Sequence, residues 1–166
     1  MIFYSDRRSK VLSGLTLVEV LVVMAISAFI LAGSMGTYVF FNNIRNTEAL
    51  NKAANTVKFR LEEARSLTIS SKDSSVYGVH FEAAQVVLFK GDTYVAGAAS
   101  NQVSPLGAYA IISSINLSPS GSDIVFERLT GEASRTGTIV AAQVSDATKI
   151  KTITISKTGF ASLVSP

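Results

Sequence analysis

One carboxylate at the edge of a long apolar run constrains this 166-residue chain more than any other feature. Residues 14–20 read GLTLVEV, and from residue 20 to residue 41 nothing is charged. As a helix, that uncharged run extends about 33 Å, which is enough to cross a bilayer. Inserting a carboxylate into a bilayer core costs roughly 2.5–3.5 kcal/mol, so an acid at this place is expected to have a function. Glu19 is therefore the first candidate functional residue.

The charges before the run predict its orientation. Residues 1–14 contain Arg7, Arg8 and Lys10 against the single acid Asp6. Basic residues that flank a membrane span stay on the cytoplasmic side, so the rest of the chain is expected to be exported. From residue 72 onward, bases and acids balance. Without residues 1–14 the protein is nearly neutral, and nucleic acid is not an expected partner.

A single helix is predicted from Leu15 to about Ser71. Residues 42–71 contain no proline or glycine, and their apolar residues recur at the three-and-four spacing of an amphipathic helix. This predicted core face consists of Leu50, Ala53, Ala54, Val57, Leu61, Ala64 and Leu67. The first half of the helix is expected in lipid and the second half under a globular head.

Beyond residue 76 the period changes to that of short strands separated by turns. Strands are predicted over residues 76–81, 85–90, 109–115, 124–127, 138–144, 150–156 and 160–164, with 93–95 as an eighth candidate. A looser stretch rich in Gly, Ala and Ser covers residues 96–107. Strands without intervening helices indicate an antiparallel arrangement, in one sheet or in two stacked sheets.

The predicted fold class is therefore α+β, with a long N-terminal helix packed on an antiparallel β-sheet head. The expected organisation is a leader (1–14), a transmembrane and assembly helix (15–41), an amphipathic helix that continues into the head (42–71) and a β-rich head (72–166).

The N-terminal motif resembles the processing signal of type IV pilins and pseudopilins. The resemblance lies in the order of basic leader, Gly14, the apolar Leu15, Thr16 and then Glu19. It implies that a prepilin peptidase cleaves between Gly14 and Leu15 and N-methylates Leu15. The family usually has Phe where this chain has Leu15. It also implies that Glu19 pairs with the new terminal amine of a neighbouring subunit; the alternative is that Glu19 lies near the membrane surface and reaches water.

Three head segments resemble the H-type minor pseudopilins and FimT-like minor pilins, more loosely than the N-terminal motif does. They are residues 63–66 (EARS), 77–81 (YGVHF) and 152–159 (TITISKTG). Members that bind DNA carry arginines after that last glycine, whereas residues 160–162 here are Phe, Ala and Ser. This difference also counts against nucleic acid as a partner.

The function implied by the resemblance is structural. The chain would be a subunit, expected to be minor, of a type IV pilus-like filament or a type II secretion pseudopilus. Its partners would be prepilin peptidase, other pilins or pseudopilins and an assembly-platform membrane protein. It would wait in the bacterial cytoplasmic membrane as a single-pass protein with its head outside. Two alternatives stay open: a DNA-uptake minor pilin, and an uncleaved membrane-anchored extracytoplasmic binding domain.

Little in the sequence favours catalysis or a cofactor. There is no cysteine, which excludes a disulfide framework and a thiolate metal site. The single histidine, His80, is expected to be a packed or edge residue. Asp92 and Asp123 stand in Gly/Ser turns and are ordinary turn residues, with a carbonyl-assisted calcium site as the alternative. Without a Ser-His-Asp set, a phosphate loop or paired carboxylates, we expect a non-enzyme with no metal or cofactor.

Overall fold

The computed structural model describes residues 16–164, apart from the side chains of residues 34–39. The chain divides into two compact units, Met1–Phe41 and Asn42–Pro166. One helix, α1 (Leu17–Ile69), contributes residues to both units. The predicted long helix is thus confirmed from Leu17 to Ile69, while Leu15 lies outside the described residues.

In the second unit, α1 buries one face. Six apolar residues of the predicted core face are buried, and the seventh, Leu67, packs against the core while partly exposed. The opposite side is wet, where Lys58 and Glu62 form an i,i+4 ion pair at 3.6 Å. Three-and-four spacing therefore predicted the correct face, because apolar residues at that spacing form one stripe of a helix.

The end of α1 is attached to the head through Thr68, which is fully buried. Its hydroxyl donates to the carbonyl of Ala64 at 2.8 Å and accepts the backbone N–H of Tyr77 at 2.9 Å. A short 3₁₀ turn, Lys72–Ser74, separates α1 from the strand that begins at Tyr77. There the Tyr77 hydroxyl donates to the Asp73 carboxylate at 3.0 Å, and the Lys90 ammonium lies 3.5 Å from the same carboxylate.

The head contains eight antiparallel strands in two sheets of four. The strands are β1 (Tyr77–Phe81), β2 (Gln85–Lys90), β3 (Gln102–Pro105), β4 (Ala110–Ser118), β5 (Asp123–Val125), β6 (Thr136–Gln143), β7 (Ile150–Ile155) and β8 (Ala161–Val164). The first sheet has the order β3-β2-β1-β5 and the second β4-β6-β7-β8. The α+β class is confirmed. The sequence left open whether the strands form one sheet or two, and the structure has two.

The strand predictions contain two errors, at residues 93–95 and 96–107. The stretch 96–107 was expected to be loose, yet β3 lies within it and pairs with β2 from Leu88↔Gln102 to Gln85↔Pro105. Pro105 is tolerated because β3 is an edge strand, where a missing N–H leaves no partner unbonded. Residues 93–95 form no strand; Tyr94 stacks on His80 instead.

The core joins the buried face of α1 to both sheets. Its largest fully buried side chains are Phe81, Phe126, Leu61, Leu88, Ile124, Ile139 and Ile153. Close packing explains Gly78 in β1, where a Cβ would lie 2.5 Å from the Phe89 ring and 2.7 Å from the carbonyl oxygen of Ile124.

Candidate functional site

The start of α1 is capped by a side chain. The helix begins at Leu17, and the Glu19 backbone N–H donates to the Thr16 hydroxyl at 3.2 Å. A Thr in this position satisfies one of the N–H groups that the first turn leaves without a partner. Thr16 and Glu19 stand three apart, which is the capping-box spacing. That spacing is visible in the sequence, but the sequence analysis used Thr16 only as part of the processing motif.

Capping fixes where Glu19 stands. It is the acid in the first helical turn, where the helix dipole favours a negative charge. Its side chain is exposed, and no ion pair joins it to another residue that the structure describes. The cap therefore fixes the backbone of Glu19 in the first turn, and the exposed carboxylate is accessible to a cation on another molecule.

Around and after Glu19 the helix is apolar on all sides and exposed on all sides. Every large apolar side chain in this segment is exposed, from 44% at Val20 to 83% at Phe29. They are Leu17, Val18, Val20, Leu21, Val22, Val23, Met24, Ile26, Phe29, Ile30 and Leu31. A helix with no polar face is normally covered by lipid or by other helices.

Two of the predictions for this segment concern a membrane span and a processing site. Within the described part of the chain, no helix combines the length and the apolar character that crossing a membrane requires. Gly14 and Leu15, the predicted cleavage and methylation residues, lie outside the described residues. Cleavage between them, methylation of Leu15 and pairing of Glu19 stay predictions.

In the head, Arg65 joins the helix to two loops, a feature that the sequence analysis missed. Its Nε–H is shared between the carbonyl oxygens of Gly131 and Thr158, each at 3.2 Å. Its guanidinium lies 4.3 Å from the centre of the Phe160 ring. Gly159 adopts a φ of 80°, and a Cβ there would collide with the carbonyl oxygen of Gly131. No local pattern predicts a contact between residues so far apart in sequence.

A groove of about 370 Å³ runs beside this contact. It is lined by Glu62, Arg65, Ser66, Ile69, Ser70, Gly159 and Phe160. The residues directly after Gly159 include no arginine, but the Arg65 side chain from α1 lies against this turn. Even so, Arg65 is held by backbone carbonyls and a ring, so it acts first as a structural cross-link.

His80 is a packed residue, as predicted. Its ring stacks on Tyr94 with 3.8 Å between centroids, and its Nδ1 contacts the Asp123 carboxylate. Its Nε2 lies 3.6 Å from a carboxylate oxygen of Glu82. Among residues 16–164 as described, no group of three or more His, Cys, Asp or Glu side chains is arranged to hold a metal ion.

Two comparisons with known proteins match these features, one at the N-terminal motif and one in the fold. The protein-family model of the prokaryotic N-terminal methylation motif matches residues 13–35, the stretch that contains Gly14, Thr16 and Glu19. The chain is similar in fold to a crystal structure of the type IV minor pilin FimU from Pseudomonas aeruginosa strain PAO1, with a TM-score of 0.51. In fold and N-terminal motif, the chain is type IV pilin-like.

The similarity of this pilin-like chain to FimU is one of fold. The two sequences are 17% identical, and the match covers 69% of this chain and 92% of the FimU chain. No curated protein matches the sequence. The N-terminal motif and the α+β architecture are therefore what the chain shares with pilins.

Proposed function

We propose that the chain is a minor structural subunit of a type IV pilus-like filament or of a type II secretion pseudopilus. One observation carries the proposal: an apolar helix, exposed on every side, has in its first turn a capped acid that forms no ion pair with any residue of the described part of the chain. Such a surface requires lipid or neighbouring helices, and the acid requires a cation. A filament of identical or related helices supplies both. The role is structural and not catalytic.

Maturation would supply the cation. Cleavage between Gly14 and Leu15 by a prepilin peptidase leaves an α-amine on Leu15, which N-methylation keeps cationic. The match of the methylation motif to residues 13–35 supports this step. Thr16 would then be the second residue of the mature chain, so the helix cap lies directly beside the new terminus.

Pairing in trans would set the register between subunits. Two unit charges 4 Å apart attract by about 4 kcal/mol at an effective dielectric constant near 20, before the desolvation cost is subtracted. The amine of Leu15 on an adjacent copy is a suitable partner for Glu19. An unpaired Glu19 among packed apolar helices would oppose assembly, because a buried charge without a partner is strongly unfavourable.

Before assembly, the subunit would be held by its N-terminal segment in the bacterial cytoplasmic membrane. The basic residues before Gly14 favour a cytoplasmic N-terminus and an exported head. Its partners would be prepilin peptidase, an assembly-platform membrane protein and other pilins or pseudopilins. The fold neighbour FimU is itself described as a type IV minor pilin, which supports the minor role.

The N-terminal mass of the protein isolated from its native cells tests the proposal. We expect a chain that begins at N-methylated Leu15. Gly14→Val should leave the leader attached, whereas Ser13→Ala, its matched control one residue away, should be cleaved like the wild type. A wild-type protein that still begins at Met1 contradicts the proposal and favours an uncleaved, membrane-anchored binding domain.

A DNA-uptake minor pilin is the second candidate, and Arg65 is the observation in its favour. A cation beside the exposed ring of Phe160 resembles the stacking sites of single-strand binders. The balance of charge from residue 72 onward opposes it. A gel shift with purified residues 43–166 distinguishes the two. Retardation that Arg65→Lys preserves and Arg65→Ala abolishes would favour DNA binding, and no retardation at physiological salt would favour the structural role.

A further inference from the structure

The open end of the second sheet carries an exposed apolar pair. The β4–β6 ladder ends at the buried pair Ala110 and Gln143, and beyond it the Val144 N–H donates to the carbonyl of Tyr109 at 3.0 Å. Because side chains alternate along strands, Tyr109 and Val144 lie on the opposite, outward face. Their side chains are 51% and 54% exposed.

Two isoleucines extend this surface. Ile111 lies two residues from Tyr109 on the same face and is exposed, and its partner Ala142 is paired in turn with Ile150. We call this surface the sheet-end patch; it consists of Tyr109, Ile111, Val144 and Ile150. A cluster of outward apolar residues at the end of a sheet marks a contact surface more than scattered single residues do.

The sheet-end patch is fixed to the part of α1 that follows the apolar run. The hydroxyl of Ser145, the residue after Val144, accepts hydrogen bonds from Asn46 Nδ2 at 3.1 Å and from Gln143 Nε2 at 2.6 Å. Asn46 comes five residues after Phe41, where the apolar run ends. Five residues span at most about 18 Å even when extended. The hydrogen bond from Asn46 to Ser145 therefore lies within five residues of chain from the end of that run.

The charges beside the patch suit an anionic surface. Arg45 precedes Asn46 and Lys149 precedes Ile150, and both side chains are exposed. The acid of the same turn, Asp146, has its carboxylate engaged locally by the Thr148 N–H at 3.1 Å and hydroxyl at 2.6 Å. Basic side chains are attracted to anionic lipid headgroups, and tyrosine is enriched where apolar and wet regions meet.

We propose that the sheet-end patch rests on the surface of the membrane that holds the N-terminal segment, with Tyr109 and Val144 at the level of the lipid headgroups. The inference rests on the proposed function and deepens it, because it gives the head of the subunit a defined position on the membrane surface before assembly. Leaving the membrane would then require the release of this head contact as well as the extraction of the helix.

Site-directed spin labelling tests the proposal, since the chain has no cysteine and each introduced one is unique. The full chain is reconstituted into phosphatidylethanolamine–phosphatidylglycerol vesicles with a nitroxide at Val144→Cys. Val103→Cys is the matched control: Val103 is the same residue type, is 53% exposed and stands between Gln102 and Ser104. Those two residues contact Arg60, which is about 21 Å along α1 from Asn46.

Collisions of each label with oxygen, which concentrates in lipid, are compared with collisions with a water-soluble nickel chelate. We expect the oxygen-to-nickel ratio at position 144 to exceed that at position 103 several-fold, because an apolar face in the interface lies below the headgroup surface, where oxygen is more abundant and the chelate is scarcer. Equal ratios overturn the proposal. So does a label at 144 that becomes shielded from both probes only when the protein self-associates, because a neighbouring subunit then covers the patch.

A third label, Leu21→Cys, separates the two levels of the argument. Lipid exposure at position 21 with water exposure at position 144 contradicts only the membrane contact of the head and leaves the proposed function standing. Water exposure at position 21 contradicts the membrane location in the proposed function, and the membrane contact of the head with it. Circular dichroism of each labelled variant confirms that the head is folded.

Discussion

Two stretches of one helix have opposite relations to their surroundings. From Leu17 to Leu31, every large apolar side chain of α1 is exposed, whereas Leu50, Val57 and Leu61 are buried against the sheets. Both stretches are rich in apolar residues, so composition does not separate them. What differs is a neighbour within the same chain. The head carries its own core, whereas no described residue of the chain covers the apolar side chains from Leu17 to Leu31.

Removing residues 1–41 tests this difference at its largest. We expect the remaining chain to be a folded, soluble monomer, because its apolar helix face is already buried. The complete chain should sediment as large aggregates unless detergent or lipid is present, because its exposed apolar surface is extensive. Analytical ultracentrifugation measures both. A truncated chain that fails to unfold cooperatively would show that the head is not independent.

A matched pair of leucines sharpens the comparison. Leu61→Ala should lower the free energy of unfolding by about 2–5 kcal/mol, since it leaves a cavity in the core. Leu21→Ala, on the exposed stretch of the same helix, should change it by less than about 0.5 kcal/mol. Urea unfolding of the detergent-solubilised chain, followed by tyrosine fluorescence, measures both. Equal effects of the two substitutions would remove the distinction between the stretches.

Substitution of Arg65 tests whether its side chain stabilises the loops around Gly131 and Thr158. Arg65→Ala should lower the free energy of unfolding by about 1–3 kcal/mol, because it removes the donor to two carbonyl oxygens and the contact with Phe160. Arg65→Lys should lose less, and the exposed Arg45→Ala is the control with little effect. Hydrogen exchange should rise in the loops around Gly131 and Thr158. Unchanged protection there would contradict the cross-link.

The smallest expected effect is a pH dependence at the helix end. The hydrogen bond from Tyr77, and next the charge of Lys90, lower the pKa of Asp73 below its ordinary value of 3.8. The stabilisation from ionised Asp73 is therefore complete above that value and is lost as the pH falls through the lowered pKa. The difference in unfolding free energy between wild type and Asp73→Asn should shrink only below pH 3.8. An NMR titration of Asp73 with a pKa at or above 3.8 would contradict this.

Local periodicity predicted much of the fold. The spacing of Leu50, Val57 and Leu61 predicted the buried face of α1, because residues three or four positions apart lie on the same side of a helix. The strands were found from short apolar and β-branched runs separated by turn residues. The run around Val103 was missed because its Gly, Ala and Ser surroundings hid a short edge strand.

Contacts between residues far apart in the chain could not be predicted from local sequence patterns. An alternating strand shows which residues share a face but not which strand lies beside it, so the division into two sheets stayed open. The contact of Arg65 with Phe160 joins distant parts of the chain without a local signal. The cap of α1 is different, since Thr16 and Glu19 have a spacing that the sequence already displays.

The account depends on the acid in the first turn of α1, and its incorporation into filaments tests that most directly. Incorporation of Glu19→Ala into filaments in the native cells is measured beside Glu48→Ala, an exposed acid of the same helix. We predict that Glu19→Ala lowers incorporation by at least about tenfold, the ratio that 1.4 kcal/mol represents, with unchanged head stability. Glu48→Ala should incorporate like the wild type. Equal incorporation of Glu19→Ala and wild type would contradict the account.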